Sequence, residues 1–481
     1  MLRIVFLHFH AKPSGVTRVI QQQMDALRDD AECIFIAGNN GNGETLGEEW
    51  GLRRVRIVAG VGYDGIRPEE TAESTVSQIL KVIESQWPSG CDLIHVHNPL
   101  LNKNRDFLAM LKILQNKGIP LFLQIHDTAE DFRPGSYYSR EEYPANCHYG
   151  VINSRDYNLF LQAGLKPEGL ELLPNCVTPL VSQDQKTAKV RRDHSRSPLV
   201  LYPVRAIRRK NIGEAILLSC FFPPSVRLGI TLPPSSPADY PSYEGWKAFA
   251  LREGLPVDFE LGLGRPLSDW IPETLCMIST SIREGFGFTF LEPWTAGRGL
   301  IGRRIPPVVE DFQRQGIEFP DLYDHLFIPT DWVPLEEAKA RWVGVVRETY
   351  AQYNLPLDPT MLETVWNRIS GGGKIDYPYL HPLIAQGFIR QCKGSSALRE
   401  RLVELNPFLQ LFIEKVQMAQ RSSLIESNRC RVLSAYSLET YRERLLALYR
   451  RVLTLPVHHS IDKKTLLQSF LDPKYFYLGG M

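Results

Sequence analysis

No stretch of this chain reaches the run of about 18 apolar residues that a membrane-spanning helix needs. The amino terminus, Met1-Leu-Arg-Ile-Val-Phe-Leu-His8, goes straight into what reads as a strand. Its apolar part is too short, and meets His and Lys too soon, for a signal peptide. The expectation is a soluble, cytoplasmic protein. Charge of one sign is also lacking. The 55 Lys and Arg stand against 54 Asp and Glu, a formal net charge of +1, so no global field draws the chain to nucleic acid or a membrane surface. Cysteine is sparse, and Cys33, Cys91, Cys147, Cys176, Cys220, Cys276, Cys392 and Cys430 never stand at Cys-x-x-Cys spacing. That argues against a zinc or disulfide framework and for buried thiols in a reducing compartment. What remains is ordinary for a globular protein, 43% hydrophobic and 23% charged, and 481 residues suggest two domains with extra material.

One stretch stands out: Ser281-Ile-Arg-Glu284-Gly285-Phe286-Gly287-Phe-Thr-Phe-Leu-Glu292. The apolar run Leu275–Ile278 before it is short enough for a buried strand, and Phe288, Leu291 and Trp294 after it have helical spacing. Gly-Phe-Gly therefore sits where a strand feeds a helix. Two positions without side chains let a ligand approach the backbone, and the amides that open the helix point at it. Such a helix start suits a phosphate. Glu284 stands at the lip of the turn, and Glu292 lies about two helical turns deeper. A phosphate flanked by two carboxylates is an odd pairing unless the ligand is also rich in hydroxyls. A nucleotide sugar has both.

In the first half, Arg3–Phe9 reads as a buried strand and His8–Gly15 as a loop. A helix follows from Val16, with Val19, Ile20, Met24 and Leu27 on its face, and then the strand Cys33–Ala37. This order opens a doubly wound α/β domain, whose ligands bind at the carboxyl ends of strands. Gly15 lies at such an end, although a glycine before a helix also serves as plain punctuation. Cys91–Asn98 is a strand with His95 and His97 on one face. With no third ligand nearby, neutral histidines bound to backbone are the better reading than a metal site. After a helix over 100–116, the strand Leu121–Ile125 ends in His126-Asp127. An imidazole there can donate to a sugar hydroxyl near neutral pH, the alternative being a structural histidine capped by Asp. Asn153-Ser154 caps a further helix, and Leu170–Asn175 is a short strand closing the first domain.

Residues 181–198 mix Ser, Gln, Asp, Lys and Arg without apolar period and read as an interdomain linker. The strand Leu199–Val204 then leads into Arg205-Ala-Ile-Arg208-Arg209-Lys210 and a helix from Ile212. Four cations at one strand-to-helix junction need an anion to relieve their repulsion. Arg205 and Lys210 suit a guanidinium and an ammonium gripping one diphosphate, with Arg208 and Arg209 as solvated neighbours; a plain basic helix start is the alternative. Strands at Val226–Leu232 and Val257–Leu261, around a helix at Tyr243–Arg252, make a second doubly wound domain. From Thr330 to about Asn428 helical periods dominate, over 335–353, 361–369 and 398–416. Gly371-Gly-Gly-Lys374 has no strand before it, which argues against a phosphate loop. This reads as a helical insertion, a candidate acceptor-side wall or subunit contact. Ser437-Leu438 opens a last helix with Tyr441, Leu445, Leu448 and Val452 on one face.

Glu284-Gly285-Phe286-Gly287 with Glu292 resembles the Glu-x7-Glu signature of retaining glycosyltransferases of family 4. Arg205 and Lys210 resemble that family's Arg-x4-Lys pair, and His126-Asp127 its His-Asp. Pro13-Ser14-Gly15-Val16 resembles its Gly-Gly-Val loop, with Ser14 in place of the first Gly. The resemblance covers roughly residues 1 to 330. It implies the glycosyltransferase B (GT-B) fold, two doubly wound Rossmann-like α/β domains facing a cleft, here with a helical insertion near the C-terminus. The expected division is an acceptor-side domain over 1–180, a nucleotide-sugar-binding domain over 199–330, the insertion over 331–428, and a C-terminal helix and tail over 429–481 packing back on the first domain. The implied activity is retaining transfer of a hexose from a nucleotide-diphosphate sugar to a small-molecule or glycan acceptor. That donor is a co-substrate, and no cofactor is implied. The resemblance also implies roles: Glu284 at the donor sugar's hydroxyls, Glu292 at the ribose, His126 at the transferred sugar. Gly15, Arg205, Lys210, Gly285, Phe286 and Gly287 would surround the donor. No Asp-x-Asp, the metal–diphosphate bridge of the other large transferase class, occurs in the chain, so transfer without a metal is expected. Two alternatives stay open, a nucleotide-sugar epimerase of the same fold and a non-catalytic binding or scaffold protein.

Overall fold

A computed structural model of the chain describes residues 1–39, 54–180, 197–417 and 422–480. The chain divides into two compact units, Met1–Cys176 with Tyr436–Leu471, and Val177–Ala435 with Asp472–Met481. The linker expected at 181–198 falls almost wholly outside the described residues.

The first unit is built on seven strands: β1 (Leu2–His8), β2 (Ala31–Ala37), β3 (Val55–Ile57), β4 (Leu93–His97), β5 (Leu121–Ile125), β6 (His148–Val151) and β7 (Leu170–Leu172). They are all parallel, in the order β3-β2-β1-β4-β5-β6-β7. Ile4 to Leu7 are buried on both faces of β1, which is why such strands read as unbroken apolar runs. Helix α1 (Gly15–Ala26) starts at Ser14, whose hydroxyl accepts from the Thr17 amide while Thr17 Oγ1 accepts from the Ser14 amide. A late helix, Leu438–Thr454, lies in the same unit. It shares one apolar cluster with α1, Tyr441, Leu445 and Leu448 beside Ile20, Met24 and Leu27, and its Arg442 pairs with Asp30 at 2.6 Å. The helix expected over 100–116 forms only from Phe107 to Asn116. Its front end is irregular because Asn98 takes a left-handed backbone (φ 54°) and the Asp64 carboxylate accepts from the Arg105 amide.

The second unit holds β8 (Leu199–Arg205), β9 (Arg227–Leu232), β10 (Val257–Asp258), β11 (Thr274–Ser279), β12 (Leu300–Arg303) and β13 (Leu322–Tyr323), parallel, in the order β10-β9-β8-β11-β12-β13. The strand expected at Val257–Leu261 is thus only two residues long. Beyond the sheet come helices over Leu335–Gln352, Pro359–Ile369, Pro382–Gly394, Ser396–Leu405, Phe408–Gln417 and Ser422–Ala435. The single helical period read over 398–416 is two helices, because Pro407 has no amide to continue the ladder and Asn406 turns its side chain to the Phe327 backbone. A buried ion cluster ties this helical part to the sheet. Arg303, at the end of β12, holds Glu214 and Asp376 at 2.9 Å each, and the Tyr323 hydroxyl donates to Glu214.

Both sheets share one topology. The order reverses between β1 and β4 in the first and between β8 and β11 in the second, and open parallel sheets bind ligands outside the strand ends at such a point.

Candidate active site

The reversal point of the second sheet lies between the loops that leave β8 and β11, and these loops are stitched together. Tyr202 on β8 donates from its hydroxyl to the Lys210 carbonyl at 2.7 Å and accepts from the Thr280 amide at 3.2 Å. Thr280 Oγ1 donates to the Asn211 carbonyl at 3.0 Å, and the Ile282 amide to the Arg209 carbonyl at 3.0 Å. Arg208–Lys210 form one 3₁₀ turn, stopped by Asn211 in the left-handed region (φ 49°). Asn211 is held there by its side-chain amide, which donates to Glu214 at 2.7 Å, and Glu214 is anchored by Arg303. The backbone around Lys210 is therefore fixed from below by the buried ion cluster.

That backbone presents two cations to one carboxylate. Glu284 accepts from Lys210 Nζ on one oxygen and from Arg209 at 2.9 Å on the other, and Arg209 also donates to the Arg283 carbonyl at 3.0 Å. Only 6% of the Glu284 side chain is exposed. Burial alone would raise its carboxyl pKa, but Lys210 and Arg209 outweigh that and hold it below the usual range. Burial lowers the Lys210 ammonium, Glu284 working against the shift and Arg209 with it. Two cations thus share one carboxylate at the strand ends. Glu292, on the helix Phe288–Thr295, is also buried and adds its field to Lys210.

The turn between the two glutamates depends on Gly287. Its φ of 91° disfavours any side chain, and a Cβ there would stand 2.6 Å from Val308 Cγ1. Phe286 is buried edge-on against Phe288 and Phe312, so its backbone is what it can offer a ligand. Arg205, at the end of β8, is exposed, and its guanidinium donates to the Pro233 carbonyl at 3.4 Å.

In the first unit, His126 follows β5 directly. Asn98, at the end of β4, accepts from the His126 and Asp127 amides at 2.7 and 3.0 Å, which sets the turn. The His126 ring is 2.8 Å from His97, and Asp127 pairs with Arg133 at 2.6 Å. Burial pushes the His126 imidazole down to about 4, against the pull of Asp127, so it is neutral at pH 7. Gly15 is exposed, and a Cβ on it would meet nothing within 4 Å. Among the described residues, no group of three His, Cys, Asp or Glu side chains is arranged to hold a metal ion, and no helix is long and apolar enough to cross a membrane.

No family model matches the chain. It is 24% identical to mannosylglucosyl-3-phosphoglycerate synthase of Petrotoga mobilis over 98% of both proteins. Among solved structures, Anabaena HepE in complex with UDP superposes with a TM-score of 0.57 at 14% identity, over 93% of this chain and all of that one. The same protein with UDP-glucose gives 0.54 at 15% identity, over 94% of this chain and all of that one. Sucrose-phosphate synthase of Thermosynechococcus elongatus gives 0.53 at 14%, over 94% and 98%. The chain has the GT-B fold.

Within this GT-B frame, Lys210, Glu284 and the Gly285–Gly287 turn come together at the end of the second sheet, with Glu292 on the helix behind. Arg205, expected beside Lys210, enters no ion pair among the described residues. Arg208 and Arg209 correct the expectation of solvated neighbours: Arg208 pairs with Asp239 at 2.9 Å and Arg209 with Glu284. Nothing in Arg208-Arg209-Lys210 says which cations turn inward, because a 3₁₀ turn decides it. Ser14, which stands where the resemblance has Gly, is the N-cap of α1. The links among His95, His97 and His126 join two strands and carry no local signal except the alternation of His95 and His97.

Proposed function

We propose that the chain is a retaining, metal-independent hexosyltransferase using a nucleotide-diphosphate sugar. The observation that carries this reading is the pair of cations, Arg209 and Lys210, closed on Glu284 at the strand ends of a GT-B domain. Without donor, Glu284 is their counter-ion. A diphosphate is the stronger competitor for both, and when it takes them Glu284 is released toward the sugar hydroxyls. The two cations and the amides after Gly287 then stabilise charge on the departing diphosphate, which is the role a metal ion plays elsewhere. The leaving phosphate oxygen accepts the acceptor's proton on the face it departs from, so configuration is retained without a side-chain nucleophile. Glu292 binds the ribose, and His126 donates to a hydroxyl of the transferred hexose.

The Petrotoga relative is named for a product that combines two hexoses with phosphoglycerate. The acceptor class carried over to this chain is accordingly a small anionic glycoside. The test is to incubate the protein with UDP-glucose and GDP-mannose, each with and without glucosyl-3-phosphoglycerate, and to follow nucleotide and sugar by NMR. Nucleotide release that requires the acceptor, with the donor's anomeric configuration kept in the product, is expected. Epimerised donor without nucleotide release, or inverted product, would refute the reading.

A further inference from the structure

The first unit gathers imidazoles where its sheet order reverses. His95 and His97 lie parallel within 16° with centroids 4.4 Å apart, and His97 and His126 within 7° at 5.1 Å. All three are buried, His126 being the most open at 7%. His97 Nδ1 and His126 Nε2 stand 2.8 Å apart, so one of them donates to the other. The surroundings decide which. His95 is fully engaged, its Nδ1 with the Tyr449 hydroxyl at 2.8 Å and its Nε2 with Gln124 Oε1 at 2.9 Å. His8 Nδ1 donates to the His97 carbonyl at 3.2 Å and leaves the ring alone. His97 Nε2 is buried and has no hydrogen-bond partner among the described residues.

Burial lowers the pKa of His97 well below its ordinary value and that of His126 to about 4, so at neutral pH each ring carries one proton. Two arrangements then remain. If His126 Nε2 donates, the His97 proton sits on Nε2, a buried N–H with nothing to accept it. If His97 Nδ1 donates, Nε2 is a bare ring nitrogen, and orphaned buried donors are the rarer kind of unsatisfied group. The second arrangement also fixes the tautomer of His126, since the bond made by one ring nitrogen sets the state of the other. The remaining nitrogen, His126 Nδ1, then carries the proton. Asn98 supports this by clamping the amides of His126 and Asp127, which holds the ring in register with His97.

We propose that His97 is a positioning residue which, by donating from Nδ1 to His126 Nε2, keeps His126 as an Nδ1–H donor for the sugar. The tautomer stands on the contacts above; its use in transfer rests on the function proposed for His126.

The experiment has two arms. Full-length protein labelled with ¹⁵N-histidine is studied by NMR, with the His126 ring signals identified by their loss in His126→Gln. A protonated Nδ1 and a bare Nε2 on His126 are expected; a protonated Nε2 overturns the proposal. The second arm compares His97→Asn, whose amide can still donate to His126, with His97→Leu, which has similar size and cannot. Transfer from whichever of UDP-glucose or GDP-mannose the enzyme uses should be at least about tenfold faster in the Asn variant, with nucleotide diphosphate affinity equal in both, because only the geometry of one donor has changed. A Leu variant as fast as the Asn variant overturns the positioning role, since packing alone would favour Leu. The predicted tautomer together with a fully active His126→Ala enzyme overturns the role of His126 in transfer and leaves the tautomer standing.

Discussion

Glu284→Gln tests the idea that the site's own carboxylate holds the place of the donor's phosphates. The substitution keeps the shape of the side chain and removes one charge. In the free protein Glu284 accepts two charge-assisted hydrogen bonds, from Lys210 and from Arg209 at 2.9 Å, with 6% of its side chain exposed. Both donors stay charged, but glutamine offers one acceptor oxygen where the carboxylate offers two and turns an N–H toward the other cation, so the exchange loses one charged hydrogen bond of roughly 1.5–3 kcal/mol. Two consequences follow. The free variant loses stability of that order, because Lys210 is left buried without its counter-ion. A nucleotide diphosphate no longer displaces a carboxylate, so its affinity should rise by about tenfold, or ~1.4 kcal/mol, while sugar transfer falls. Calorimetry with UDP and GDP, thermal unfolding with and without nucleotide, and turnover measure the three effects separately. An affinity that falls together with turnover would refute the displacement argument.

Glu292→Gln should weaken nucleotide and sugar nucleotide alike by about 1–2 kcal/mol in calorimetry, since the ribose loses a charged acceptor. His126→Ala should lower turnover by about 10²-fold, near 3 kcal/mol, with nucleotide diphosphate affinity unchanged and a native circular dichroism spectrum. Stability should depend on pH through the same residue. The folded His126 titrates near 4 against 6.5 unfolded, so as the pH falls from 6.5 toward 4 the unfolded chain takes up a proton that the folded one refuses, and stability drops across that window. The fall in Tm between those pH values should be shallower in His126→Gln. Gly287→Ala forces a side chain into φ 91° and to within 2.6 Å of Val308; it should lower Tm and abolish nucleotide binding together.

Much of the architecture was legible because parallel strands buried on both faces leave unbroken apolar runs, as at Ile4–Leu7 and Cys276–Ile278, with amphipathic helices between them. Glu284, Gly287 and Lys210 could be picked out as candidates for a related reason: they follow apolar runs that become β8 and β11, and open parallel sheets bind ligands outside such strand ends. Arg209 could not. Its neighbours in sequence are equally basic, and only the turn closed by Asn211 directs it to Glu284. The helix Pro382–Gly394 is hard to read although Ile384, Phe388, Ile389 and Cys392 share its buried face, because Gly387 in its middle is a poor helix former. The imidazole links were out of reach in principle, since His97 and His126 meet only once β4 and β5 pair side by side.

On the proposed function, Lys210, with Arg209, grips the diphosphate of a nucleotide sugar. Isothermal titration of UDP, GDP, ADP and dTDP into the wild-type chain and into Lys210→Ala tests this grip without knowledge of the acceptor. At least one of the four should bind the wild type, and Lys210→Ala should bind it about 10- to 100-fold more weakly, the loss of one charged hydrogen bond of roughly 1.5–3 kcal/mol. No binding of any of the four to the folded wild type, or equal binding to both proteins, would contradict it.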